Sequence, residues 1–253
     1  MWYNYKKGDM MNVPKKITPD LIVEAIVELR FNSNTPADAI FGIVYNSIKD
    51  EYKEVEKLPI LQLPEEIRAN DPNLIFKPYY KLASENFILQ IGPRVISIAS
   101  YNNNYCGWKT FNEEIQKIFK KTLETNVISE PQRLGVRYIN FFERTLYGNI
   151  FSNINLSIQL NNAPLNNEET VIRTVFDQNN FITNLQIVSK AQMLVKNTVK
   201  DGSIVDIDTF TENKDSLIAN KLHITLENGH SEEKIIFFGL LNADCLNKLI
   251  PQY

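Results

Sequence analysis

Apolar and polar residues alternate from Leu21 to Phe31: Leu21, Val23, Ala25, Val27, Leu29 and Phe31 fall on one side, and Glu24, Glu28 and Arg30 on the other. This period of two predicts a half-buried strand. Thr35, Pro36 and Asp38 then read as a helix start, with a capping hydroxyl, a proline whose missing N–H costs nothing there, and a carboxylate near the positive end of the dipole. Ile40, Val44, Ile48 and Tyr52 recur every fourth residue beside Ala37, Phe41 and Tyr45, which predicts an amphipathic helix. Pro59, Pro64 and Pro72 punctuate the irregular stretch that follows. Extended segments at Leu74 to Ala83, Phe87 to Ile91 and Val95 to Ala99, the last two joined by Gly92-Pro93, predict an antiparallel meander.

From Gly107 the period becomes 3.6. Trp108, Phe111, Ile115, Ile118, Phe119 and Thr122 share one side, with Glu113 and Glu114 early and Lys117, Lys120 and Lys121 late, which predicts a second amphipathic helix. Trp108 reads as the anchor of that helix against the sheet. Strand patterns resume at Arg133 to Phe142, Ile154 to Leu160, Thr170 to Phe176, Phe181 to Val188 and Ile204 to Phe210. The stretch from Ser231 to Leu249 reads as one helix, or as a helix broken near Asn242. The predicted class is therefore α+β: mainly antiparallel sheet with two long amphipathic helices and a C-terminal helix. Residues 1–20 form a polar leader and 21–253 a single unit, with a sub-boundary left open near 147–152. No repeat is evident.

Composition narrows the chemistry. The chain has 253 residues with a net charge of -3, and this balance argues against a nucleic-acid protein, whose affinity rests on a surplus of Lys and Arg. Two cysteines, Cys106 and Cys245, are too few for a disulfide framework and read as small buried hydrophobes in a cytoplasmic protein. No segment is long and apolar enough for a membrane helix, and the N-terminus lacks the apolar core of a signal peptide. His223 and His230 lack zinc-motif spacing and read as surface or capping residues. Tyr79, Tyr80, Tyr101 and Tyr105 could stack bases, but without a basic surplus they read as packing residues.

Five pieces appear in order: IVEAIVELRF at 22–31, LQIGPRVISI at 89–98, GWKTF at 107–111, RLGVRYIN at 133–140 and VDIDTF at 205–210. Together they resemble a family of sporadically distributed, uncharacterised prokaryotic proteins of about 250 residues, and the tail GHSEEKIIFFGLL resembles that family's terminal helix. The resemblance implies a compact α+β protein in bacteria and brings no activity, cofactor or catalytic residue with it. By analogy, sporadic occurrence suits an accessory or neutralising subunit of a defence or toxin-antitoxin cassette.

One further set of residues bears on function. Glu24, Glu28 and Arg30 on one strand, Arg133 and Arg137 on another, Arg173 on a third, and Asp206 and Asp208 on a fourth all fall on polar faces. On a common concave face the acids Glu24, Glu28, Asp206 and Asp208 could hold a divalent cation while Arg30, Arg133, Arg137 and Arg173 grip a phosphorylated ligand. Otherwise they are cross-strand ion pairs that fix register. No G-x-S-x-G elbow or Cys–His arrangement is present, so no catalytic residue is assigned. The expected function is a non-enzymatic protein-binding or accessory protein that needs no cofactor. It would engage another protein through a sheet edge or the terminal helix, with a homo-oligomer left open. The alternative is a metal-dependent enzyme or binder acting on a nucleotide or phosphate ester.

Overall fold

A computed structural model describes residues 13–100, 105–164, 169–195 and 198–253. Tyr101 and most of the polar leader lie outside them. The chain runs β1 (Ile22–Asn32), α1 (Ala37–Ile48), β2 (Glu54–Lys57), α2 (Glu65–Asn70), β3 (Tyr80–Ala83), β4 (Phe87–Gly92), β5 (Val95–Ser100) and α3 (Trp108–Glu124). It continues with β6 (Glu130–Glu143), α4 (Arg144–Tyr147), β7 (Gln159–Leu160), β8 (Ala163–Pro164), β9 (Val171–Gln178), β10 (Phe181–Val195), β11 (Thr198–Thr211), α5 (Leu222–Leu240) and α6 (Ala243–Lys248).

The class is α+β. Nine strands form one sheet in the order β2-β3-β4-β5-β1-β6-β11-β10-β9, and each of its neighbouring pairs is antiparallel. This order contains a duplication that sequence alone did not reveal. In each half a leading strand (β1, β6) is followed by an excursion, then by a meander whose last strand (β5, β11) returns to pair with the leader, then by a long helix (α3, α5). The leaders β1 and β6 pair with each other, so the halves meet at the centre of the sheet.

Two cores cover one face of the sheet. The first joins Val27 and Leu29 of β1 with Ile40, Val44 and Ile48 of α1 and Phe111, Ile115 and Ile118 of α3. The second joins Leu185, Ile187, Val205 and Ile207 with Ile236, Phe237 and Leu240 of α5 and Cys245 of α6. Tyr147 and Ile150, at the possible sub-boundary, are buried in this second core.

Several expectations change for physical reasons. α1 begins after Pro36 with no side-chain cap, so the Thr35 hydroxyl plays no capping role, and Tyr52 is buried beyond the helix end. Residues 72–76 form turns, and β3 starts only at Tyr80. Ile154 to Leu160 is mostly irregular, whereas β10 and β11 run well past the predicted strands. Cys106 is exposed while Cys245 is buried.

The terminal helix begins at Leu222, nine residues before the predicted start. Its buried positions Leu222, Leu226, Gly229, Glu233, Ile236 and Leu240 follow helical spacing, so tertiary packing overrides the poor local propensity of Gly229 and the β-branched Ile224 and Thr225. Among the described residues no helix is long and apolar enough to cross a membrane.

Candidate functional site

The eight charged candidates all lie on the sheet face away from the helices, and the register explains how. Arg30 sits directly opposite Arg133, Glu28 opposite Gly135, and Asp208 opposite Arg137. Two arginines side by side would repel, but Glu28 Oε1 accepts from both Arg30 Nε and Arg133 Nη1, each at 2.7 Å. Arg133 Nη2 donates to both carboxylate oxygens of Asp208, at 3.0 and 2.8 Å. The guanidinium lies over the Phe210 ring at 4.0 Å, above Gly135, where a Cβ would stand only 2.7 Å from Nη1. Arg137 grips Asp206 through two parallel bonds of 2.8 and 2.6 Å.

Glu24 is exposed beside the Arg137–Asp206 pair, and Arg173 is exposed on the edge strand β9. The structure thus brings six of the eight together as mutually neutralising pairs, with Glu24 alongside and Arg173 apart. Among the described residues no group of three or more His, Cys, Asp or Glu converges as a metal-binding set. Arg133 is almost fully buried, so its loss leaves two carboxylates short of a partner. Arg133→Met should lower stability by about 2 kcal/mol or more in urea unfolding, and adding Asp208→Leu should recover part of that loss.

The opposite face holds a cavity of about 560 Å³ where the two halves meet. Its floor is the β1–β6 seam and its walls are the start of α3 and the middle of α5; the segment from Pro14 to Asp20 closes one side. Ile22 reaches this face through a bulge. It pairs with Asn140 while Glu24 pairs with Ile139, so the extra residue Val23 places Ile22 and Glu24 on opposite sides. The simple alternation expected from Leu21 onward therefore fails at Val23.

Aromatic side chains organise the cavity wall. Gly107, at φ 86°, leads into α3 and presents Trp108, whose ring stacks on His230 at 3.9 Å. Trp108 Nε1 donates to Glu227 of α5 at 2.9 Å, so Trp108 ties helix to helix, a different role from the sheet anchor expected. His230 Nδ1 lies 3.0 Å from the Tyr138 hydroxyl, which lies 3.3 Å from that of Tyr105. His230 is thus a cavity-wall residue and not a surface or capping histidine. Burial, with the Lys234 charge adding, lowers its imidazole to about 3 and leaves it neutral. Burial also pushes the Tyr105 and Tyr138 hydroxyls above the ordinary phenol range.

Two polar groups inside the cavity lack partners. Glu233 is 3% exposed and lines it, with no hydrogen bond or ion pair among the described residues, and burial holds its carboxyl well above the ordinary carboxylate range. Asn140 is 1% exposed; its Nδ2 reaches the Val205 carbonyl at a long 3.4 Å, and its Oδ1 has no partner. Burial lowers the Lys234 ammonium, and the exposed Lys15, Lys16 and Asp20 line the outer part.

None of these residues was singled out as a ligand group from sequence. The available signal was Glu233 itself: with α5 phased from Leu222, this carboxyl falls on the apolar stripe, whereas a helix begun at Ser231 hides that fact. No family model matches the chain, and no curated protein matches it.

The two buried titratable groups act in opposite senses on stability. His230 resists a proton that the unfolded chain accepts, so its contribution is present above about pH 6.5 and is lost as pH falls toward about 3. Glu233 keeps a proton that the unfolded chain releases, so its contribution is present below about pH 4.5 and is lost as pH rises through its raised folded value. Urea midpoints measured from pH 4 to 7 should therefore rise more steeply with pH in Glu233→Gln than in the parent, and less steeply in His230→Phe.

Proposed function

We propose that this protein binds a small organic ligand in the cavity between α3 and α5. The observation that carries this reading is the buried Asn140 Oδ1, without a hydrogen-bond partner among the described residues, beside the buried side chain of Glu233, both lining one space of ligand size. A buried polar group without a partner costs roughly 1–3 kcal/mol, and a bound molecule would supply the missing hydrogen bonds. The aromatic walls supply apolar area for a flat ring. In this reading the Arg133 and Arg137 pairs on the other face are framework that holds the seam in register.

The test is a trade between stability and binding. Glu233→Met, which fills similar space without the carboxyl, should raise unfolding stability by about 1–3 kcal/mol. It should also abolish the thermal shift that a metabolite library produces in the parent protein. A variant that is no more stable and binds as before would show that the carboxyl is an ordinary structural group.

A second reading, protein binding by strand addition, draws on β9. This eight-residue strand lies at the end of the described sheet and exposes Val171 and Val175, the features that an incoming strand could use. This reading also suits an accessory role beside a partner protein. Placing proline at position 173 or 175, which cannot donate to a ladder, should abolish complex formation on gel filtration with the products of neighbouring genes while leaving the melting temperature within a few degrees.

A further inference from the structure

Building on the cavity reading, we infer that the ligand is a zwitterion, with a protonated amine or amidine head seated against Glu233 and Asn140 and an anionic tail held by the lysines at the outer part of the cavity. Asn140 Oδ1 is an open acceptor, and Glu233 becomes a second one when a ligand ionises it. Asn140 Oδ1 can only accept, and a carboxylate at Glu233 can only accept. A ligand that meets Asn140 Oδ1 and ionises Glu233 therefore brings N–H donors to the deep end. A neutral donor would satisfy the hydrogen bonds, but a cationic head does more, because it stabilises the ionised carboxylate that burial otherwise disfavours. The aromatic wall adds to this preference, since the faces of Tyr and Trp rings attract cations.

The outer end has the opposite character. Lys15 and Lys16 are exposed there, Lys234 is half-buried, and among the described residues Asp20 is the one acid beside them. Among the described residues Lys234 makes no close ion pair, although it feels the adjacent Glu233 electrostatically, and it can meet an anion at this end. Acceptors at the deep end and a surplus of ammonium groups at the outer end give the cavity a direction, and only a molecule with a cationic head and an anionic tail matches both ends.

Ligand-detected NMR on the full chain can test this with matched probes on one aromatic scaffold: tryptamine (head only), indole-3-propionate (tail only) and tryptophan (both), with phenethylamine, 3-phenylpropionate and phenylalanine as a smaller set. The zwitterion of each set should bind at least tenfold more tightly than its tail-only partner. Glu233→Gln, which keeps the shape, should cost the amine-bearing probes at least tenfold and leave the tail-only probes unchanged. Lys15→Ala with Lys16→Ala should weaken the zwitterions and spare the head-only probes. Tail-only probes that bind as tightly as the zwitterions, or amine binding indifferent to Glu233→Gln, would overturn the inferred polarity while leaving the cavity reading in place. Failure of all six to bind at millimolar concentration would overturn the polarity; if the metabolite library also gives no thermal shift, the cavity reading falls with it.

Discussion

The pairing of β1 with β6 is the constraint on which the molecule turns. Each half is a meander closed onto its own leading strand, and among the described residues the only sheet contact between the halves is the ladder between those two leaders. Everything of chemical interest lies along this seam. On one face Arg133 reaches from β6 to Glu28 on β1 and Asp208 on β11, so a single buried cation bonds to both neighbouring strands. On the other face the same two strands floor the cavity. The leaders are about a hundred residues apart in sequence, so the entropic cost of closing that loop must be met by contacts that form together.

The two faces solve the same electrostatic problem differently. Where Arg133 and Arg137 stand, each carboxylate has a partner within hydrogen-bond distance, and the charges cancel locally. The half-exposed Arg137–Asp206 pair fixes register more than it adds stability, whereas the buried Arg133 is costly to remove because its carboxylate partners would be left short of a cation. In the cavity, by contrast, Asn140 Oδ1 is buried without a partner and the buried Glu233 makes no hydrogen bond among the described residues. A protein that pairs six charged groups on one face and leaves Asn140 Oδ1 and Glu233 without a hydrogen-bond partner among the described residues on the other has a local deficit, and that deficit is the physical ground for reading the cavity as a binding site.

Much of the framework was legible in the residues. The alternation in β1 from Ala25 onward, the α3 stripe from Phe111 to Thr122 and the Gly92-Pro93 reversal all depend on local periodicity, and the structure keeps them. What escaped were features set by distant parts of the chain. The bulge at Val23 exists because β6 imposes a register that the local pattern does not contain. The first turns of α5 bury Leu222, Thr225 and Leu226, a packing that the local pattern does not reveal. The cavity draws on the N-terminal segment, β6, α3 and α5, so no spacing motif marks it. The charged candidates show the complementary limit: alternation placed them on one face, but only the pairing of β1, β6 and β11 decided which acid meets which arginine.

Trp108 carries a consequence of its own. It is one of two tryptophans in the chain, it borders the cavity, and its indole lies flat against an uncharged imidazole. Indole emission responds to the polarity around the ring and to contact with a protonated imidazole. Occupancy of the space beside it therefore has an intrinsic optical signal, readable in dilute solution without any label.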